Sequence, residues 1–207
     1  FQVTGSDIRD GASVQRLRDL GATVHIGHDP SNIGQADVVV RSTAVTPANP
    51  EIQEALARFV PVIRRAEMLA ELMRLKHGIA VAGTHGKTTI TSMLSVCLAA
   101  GGFDPTVVIG GRLDSLGGTN AKLGAGDYLV AEADESDGSF MYLSPAVALV
   151  SNIDPEHLDH HGTVQALEQT FLDFVRKVPF YGFAVLCVDH PVVQGLIPQV
   201  GRRVVTY

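Results

Sequence analysis

The stretch "VAGTHGKTTITSM", residues 81–93, sets Gly83, Thr84, His85, Gly86, Lys87, Thr88 and Thr89 between an apolar run and a helical pattern. Backbone N–H groups at the mouth of a helix form a concave donor site, and the helix dipole favours an anion there. Glycines at 83 and 86 allow a tight turn and the close approach of phosphate oxygens. Lys87 would reach the β- and γ-phosphates of a nucleotide, and the Thr88 hydroxyl would hold Mg2+. The usual loop reads G-x-x-x-x-G-K-[ST]; here Val81 stands where its first glycine belongs, which leaves a shorter G-x-x-G-K-T-T. An ordinary glycine-rich βα turn is the plain alternative, but strand, loop, Lys-Thr and helix follow in the order a phosphate site requires.

Two further stretches carry candidate groups. "YLVAEADESD" puts Glu132 at the carboxyl end of a strand, where open α/β sheets build their sites, and follows it with Asp134, Glu135 and Asp137. So many carboxylates in one turn call for a cation, and a metal is the natural one; a solvated acidic turn is the alternative. "SNIDPEHLDHHG" ends another strand with Asn152 and spaces His157, His160 and His161 as i, i+3, i+4. That spacing admits a zinc site, but no cysteine joins it, and zinc is not assigned. Asp7, in "TGSDIRD", ends the first strand as a ribose-reading acid does in a dinucleotide fold, although no glycine fingerprint lies upstream in this sequence.

These groups need parallel strands to position them. Residues 1 to about 60 alternate strand-like runs ("FQVTG", "ATVHI", "ADVVVRST") with helical patterns ("SVQRLRDL", "NPEIQEALARF"), the rhythm of βαβ units. "VPVIRRAEMLAELMRLKHG" adds a short strand and a helix that Gly78 is expected to close. A second series follows: "GIAVAG", a helix over about 87–100 ended by Gly101-Gly102, strands at "PTVVIG", "DYLVAEAD", "AVALVSN" and "FAVLCVD", and a helix at "TVQALEQTFLDFVRKV". The expectation is an α/β chain with parallel sheets: a partial Rossmann-like domain over 1–77 and a partial P-loop-type domain over 78–207. Phe1 reads as mid-strand and "GRRVVTY" as a strand with nothing after it, so a fragment of a longer protein is expected.

Composition excludes several classes. With 45% hydrophobic and 18% charged residues the 207-residue chain reads as packed globular structure. Its net charge of −6 and scattered lysines and arginines leave no basic face for nucleic acid. Cys97 and Cys187 sit in apolar surroundings without metal-ligand spacing and read as buried thiols of a reducing compartment. No apolar run approaches the ~20 residues of a membrane span, and no signal peptide precedes the first strand, so a cytoplasmic location is expected.

Together "GTHGKTT", "EADESDGSF", "NIDPEHLDHHG" and "PVIRRAEMLAELMR" resemble the Mur ligases of bacterial peptidoglycan synthesis, along essentially the whole chain. The short loop is that family's own form of the phosphate loop. The resemblance implies an ATP-dependent ligase joining L-alanine to the lactyl carboxylate of UDP-N-acetylmuramic acid through an acyl phosphate, with no nucleic-acid partner and no membrane insertion. By position it implies Lys87 on the transferring phosphoryl group and Thr88 on the first Mg2+. Glu132 and His157 correspond to the second-metal residues, and Asn152 to the asparagine beside the nucleotide. A histidine in a magnesium shell is unusual and would suit Mn2+ better. His160 and His161 receive no role, and Lys177 lies too far along to match the modified lysine of sister ligases. It also implies that a glycine-rich UDP-binding loop before residue 1 and a C-terminal domain are missing. A ligase that salvages a tripeptide is the nearest rival, and Ser136, where that enzyme tends to carry Tyr, tilts the reading toward alanine. A nucleotide-binding fragment without turnover is the non-enzymatic alternative. A P-loop switch protein is disfavoured because no guanine-reading segment is present.

Overall fold

The computed structural model describes residues 1–113, 119–136 and 138–207. Two compact units divide the chain, Phe1–Met68 and Leu69–Tyr207. The division falls inside helix α3 (Arg65–Arg74), ahead of the 77/78 boundary expected from the sequence. The later turns of that helix bury Ala70 and Met73 in the core of the second unit.

In the first unit, β1 (Thr4–Asp7) pairs in parallel with β2 (Thr23–Ile26), and β3 (Val39–Arg41) with β4 (Val62–Arg64). Parallel partners need a crossover. Helix α1 (Ala12–Asp19) supplies it for the first pair and α2 (Pro50–Ala57) for the second. Pro50 opens α2 and the Asn49 side chain accepts from the Glu51 N–H at 2.9 Å, so this helix start is capped twice over. Glu51 in turn accepts from Ser6 at 2.6 Å and Asn32 at 2.7 Å. Desolvation alone would raise its carboxyl, but these donors outweigh burial and hold it below the usual range.

The second unit carries a sheet of order β11-β10-β9-β5-β8-β6-β7. Its central strands are β5 (His77–Ala82), flanked by β8 (Tyr128–Glu132) and β9 (Val147–Val150). Outward lie β6 (Thr106–Leu113) and β7 (Thr119–Lys122) on one side, β10 (Phe183–Leu186) and β11 (Val204–Thr206) on the other. The described neighbours pair in parallel except β6 and β7, which are antiparallel. "TNAK" has no apolar run, so the edge strand β7 has no signal in the sequence.

Side chains alternate across a strand. Ala80, Ala82, Leu129, Ala131, Ala148, Val150, Ala184 and Leu186 share the core with helix α6 (Val164–Arg176). That helix presents Leu167, Phe171, Phe174 and Val175, spaced i, i+4, i+7, i+8, as one apolar stripe. On the alternate positions, Val81 and Val130 are fully buried where helix α4 (Lys87–Ala100) packs on β5, β6 and β8. Thr163 caps α6, its hydroxyl accepting from the Ala166 N–H at 3.1 Å. Thr163→Ala is expected to cost about 1 kcal/mol, read as a lower urea midpoint at constant slope.

Two sequence expectations are corrected. Gly78 does not close α3; it lies within β5, and a Cβ there would stand 2.3 Å from Met73 Cγ. The glycine is required by the close approach of helix to strand. Cys97 is exposed and Cys187 only half-buried. The buried line of α4 is Thr91 and Ser95, small residues turned to the crowded sheet, and Cys97 falls well round the helix from that line.

Candidate phosphate-binding site

The loop after β5 opens the site at the carboxyl ends of the central strands, the position where open α/β sheets bind ligands. Gly86 takes a left-handed conformation (φ +80°) as N-cap of α4, whose start at Lys87 agrees with the sequence reading. Among the described residues no side chain caps this helix, and no acid lies in its first turn. The first-turn N–H groups therefore keep their donors for an outside acceptor. Gly83 has φ +135°, and a Cβ there would lie 2.2 Å from Ser151 Oγ and 3.2 Å from the backbone N and O of Asn152. The loop is thus pressed against the end of β9.

Asn152 makes that contact specific. Its Oδ1 accepts from the His85 N–H at 2.7 Å and its Nδ2 donates to the His85 carbonyl at 3.0 Å, while its own carbonyl accepts from the Thr84 N–H at 3.1 Å. The amide brackets one residue of the loop, His85, by bonding the peptides on both sides of it. Thr84 Oγ1 accepts from the Asp154 N–H at 2.9 Å, and the exposed His85 ring stands 3.6 Å from Asp154 and 3.4 Å from Glu156. Ser151, which sequence reasoning passed over, donates to the His85 carbonyl at 3.1 Å.

Thr88 and Glu132 are brought together. The register sets Val81 beside Glu132, so the acid sits level with the loop, and Thr88 Oγ1 lies 3.0 Å from both of its carboxylate oxygens. Glu132 Oε2 also accepts from the Gly110 N–H at 2.7 Å. A hydroxyl and a carboxylate are hard oxygen donors, a set that suits Mg2+. Thr89 is exposed in the first turn of α4. His157 is exposed, in left-handed backbone (φ +54°) ahead of the short helix α5 (Leu158–His161). Among the described residues no contact joins its ring to Thr88 or Glu132, and no three or more His, Cys, Asp or Glu side chains converge as a metal site.

Lys87 meets an acid that the sequence did not single out from its run. Its Nζ lies 2.8 and 3.0 Å from the carboxylate oxygens of Glu135, a side chain only 1% exposed, and donates to the carbonyls of Gly83 at 2.8 Å and Thr84 at 3.2 Å. Glu135 is therefore neutralised by lysine, and the acidic run is not simply a solvated turn. Asp134 caps its own turn by accepting from the Ser136 N–H at 3.0 Å; Asp137 lies outside the described residues. In the first unit, Asp7 ends β1 and accepts from the Arg9 N–H at 2.9 Å.

No described helix is long and apolar enough to cross a membrane. Residues 1–77 match the model of the Mur ligase family, catalytic domain, and residues 81–207 that of the Mur ligase middle domain. All 207 residues align at 62% identity with a UDP-N-acetylmuramate–L-alanine ligase of Syntrophotalea carbinolica, and at 58% with one of Sorangium cellulosum. The chain spans 45% and 44% of those relatives, less than half their length. Among solved structures, UDP-N-acetylmuramate-alanine ligase of Thermotoga maritima matches 94% of this chain and 45% of its own at 31% identity, with TM-score 0.78. The UDP-N-acetylmuramate:L-alanyl-gamma-D-glutamyl-meso-diaminopimelate ligase of Neisseria meningitides matches 100% of this chain and 70% of its own at 27% identity, with TM-score 0.83. The uncapped helix behind a short glycine loop, the carboxylate at the end of the neighbouring strand and two family matches in tandem agree, and the chain belongs to the Mur ligase family.

Proposed function

We propose that this chain is the sugar-nucleotide side and the phosphate-binding centre of an ATP-dependent ligase that adds L-alanine to UDP-N-acetylmuramic acid in bacterial peptidoglycan synthesis, in the cytoplasm. The observation that carries the phosphoryl-transfer part is the meeting of Thr88 and Glu132 beside the uncapped start of α4. The choice of sugar nucleotide and alanine rests on relatives of that name aligned over every residue. The domain division at about residue 77 belongs to the same proposal.

A carboxylate is a poor electrophile, and ATP supplies the phosphoryl group that turns it into an acyl phosphate open to attack by an amine. For the protein the task is positioning and charge neutralisation. The N–H groups of Gly86 to Thr89 would bind phosphate oxygens, and Lys87 would neutralise charge on the group in transit. Thr84, His85 and Asn152 hold the loop in shape, with Asn152 close enough to the loop to border a nucleotide. Thr88 would hold a first Mg2+ with Glu132 beside it, and Glu132 would share a second metal, Mg2+ or Mn2+, with His157 once that exposed ring is brought to it. Bound metal would offset the negative charge of the phosphates.

The test is phosphate release by the complete protein. Release is expected only when UDP-N-acetylmuramate, L-alanine and Mg-ATP are all present, and this chain by itself is not expected to turn over. Release with the tripeptide L-alanyl-γ-D-glutamyl-meso-diaminopimelate in place of alanine, and not with alanine, would replace this reading by the salvage activity.

A further inference from the structure

Within the ligase reading above, we propose that Glu135 positions Lys87, and that His161 positions Glu135. An ammonium has three N–H donors. In this structure they meet three partners: the Gly83 carbonyl, the Thr84 carbonyl and the Glu135 carboxylate. For Lys87 to reach a phosphate oxygen, one partner must yield. A neutral carbonyl that loses the lysine leaves no charge behind, whereas the Glu135 side chain is 1% exposed and would be left as a buried, unpaired charge. The carbonyls are the contacts that give way, and Glu135 is the fixed pivot. They hold the place that phosphate oxygens take.

The pivot is itself fastened. His161 Nε2 lies 3.0 Å from the Glu135 carbonyl oxygen; a carbonyl only accepts, so Nε2 carries the proton and donates. The neighbouring His160 ring meets His161 edge to face at 4.9 Å. His160 also stands over Gly138, where a Cβ would lie 2.8 Å from its Nε2. Beyond that glycine, Phe140 is buried among Phe171 and Phe174, with ring centroids 5.4 and 4.9 Å away. The acidic segment is thus tied to the sheet at Glu132, to α5 at Glu135 and to the core at Phe140. His161, to which the family resemblance gives no role, acquires one through this linkage.

The experiment uses the complete ligase and two readouts. The first is pulse acetylation of Lys87 without nucleotide, followed by mass spectrometry. Labelling is expected to rise several-fold in Glu135→Gln, which keeps the shape but loses the charge, and in His161→Ala. His161→Gln, whose amide can replace the ring donor, is expected to label as the wild type does. The second readout is steady-state kinetics. In Glu135→Gln and His161→Ala, kcat is expected to fall by about 10- to 100-fold with the KM for the sugar nucleotide unmoved, as when a catalytic group is displaced by about an ångström; His161→Gln recovers it. Unchanged labelling in Glu135→Gln, or faster labelling with unchanged kcat, overturns the proposal. Should Glu135→Gln fail to fold, the two His161 variants carry the same comparison at a half-buried position. A wild-type enzyme inactive with these substrates sinks the ligase reading, and labelling alone then decides whether Glu135 holds Lys87.

Discussion

Lys87→Met is expected to lower kcat/KM by about a thousandfold, the scale seen when one charge-stabilising donor is removed from a transferring group. It should also destabilise the protein. Glu135 is buried to within 1% and its ion-pair partner to within 13%, and removing one side of a buried pair costs about 3–5 kcal/mol because the other charge is stranded. The two effects can be separated. Lys87→Met combined with Glu135→Gln leaves no buried charge at this pair, so most of the lost stability should return in urea denaturation while phosphate release stays about a thousandfold down. Glu135→Gln alone should cost much less than Lys87→Met, since the lysine left behind can turn toward water. Equal stability of Lys87→Met and wild type would show that the pair is not what the geometry indicates.

Gly83→Ala is expected to remove nucleotide binding altogether. The residue has φ +135°, and holding an L-residue in such backbone costs about 1–3 kcal/mol before any contact is counted. The added Cβ would also lie 2.2 Å from Ser151 Oγ and 3.2 Å from the Asn152 backbone. Ser151 could swing aside only by giving up its bond to the His85 carbonyl, and the backbone of Asn152 cannot swing at all. The loop must therefore leave β9. Gly86→Ala makes the control: at φ +80° its nearest obstacle is Ile90 Cδ1 at 3.9 Å, so it carries the left-handed cost of about 1–2 kcal/mol and little else. Calorimetric titration with Mg-ATP should find binding abolished in Gly83→Ala and only weakened in Gly86→Ala. Comparable binding by both would mean that the loop is not held by its seat on β9.

The sequence showed most clearly what is written locally. Helix α4 begins at Lys87 and ends at Ala100 as expected, because Gly86 and Gly101-Gly102 mark its ends. The apolar runs of β5, β8, β9 and β10 were equally plain, and Glu132 stands at the end of β8 as its place after "YLVA" implies. What the sequence hid is non-local. That Glu135 rather than Asp134 pairs with Lys87 depends on a contact across 48 residues, and no spacing within "EADESD" distinguishes the two. Asn152 was read as a neighbour of nucleotide, but its hold on His85, 67 residues away, appears only in three dimensions. Gly78 misled for a related reason: a glycine after a helical pattern signals a stop, and only the packing of Met73 shows why it is needed inside a strand.

The strand order of the second unit also bears on how the protein is made. β5 lies between β8 and β9, so the loop after β5 leaves the ribosome well before either neighbour that gives it shape. Parallel pairing over such separations forms late, after its loop-closure entropy has been met. Until β8 and β9 are made, the loop lacks the Asn152 and Glu132 contacts that shape it, and its affinity for nucleotide is expected to be low. A ligand that binds only the finished sheet adds stability by mass action, about 2.7 kcal/mol at a hundred times its dissociation constant. Nucleotide bound at the finished loop would therefore stabilise chains whose sheet is complete, and chains that stop before β8 and β9 would go without that gain.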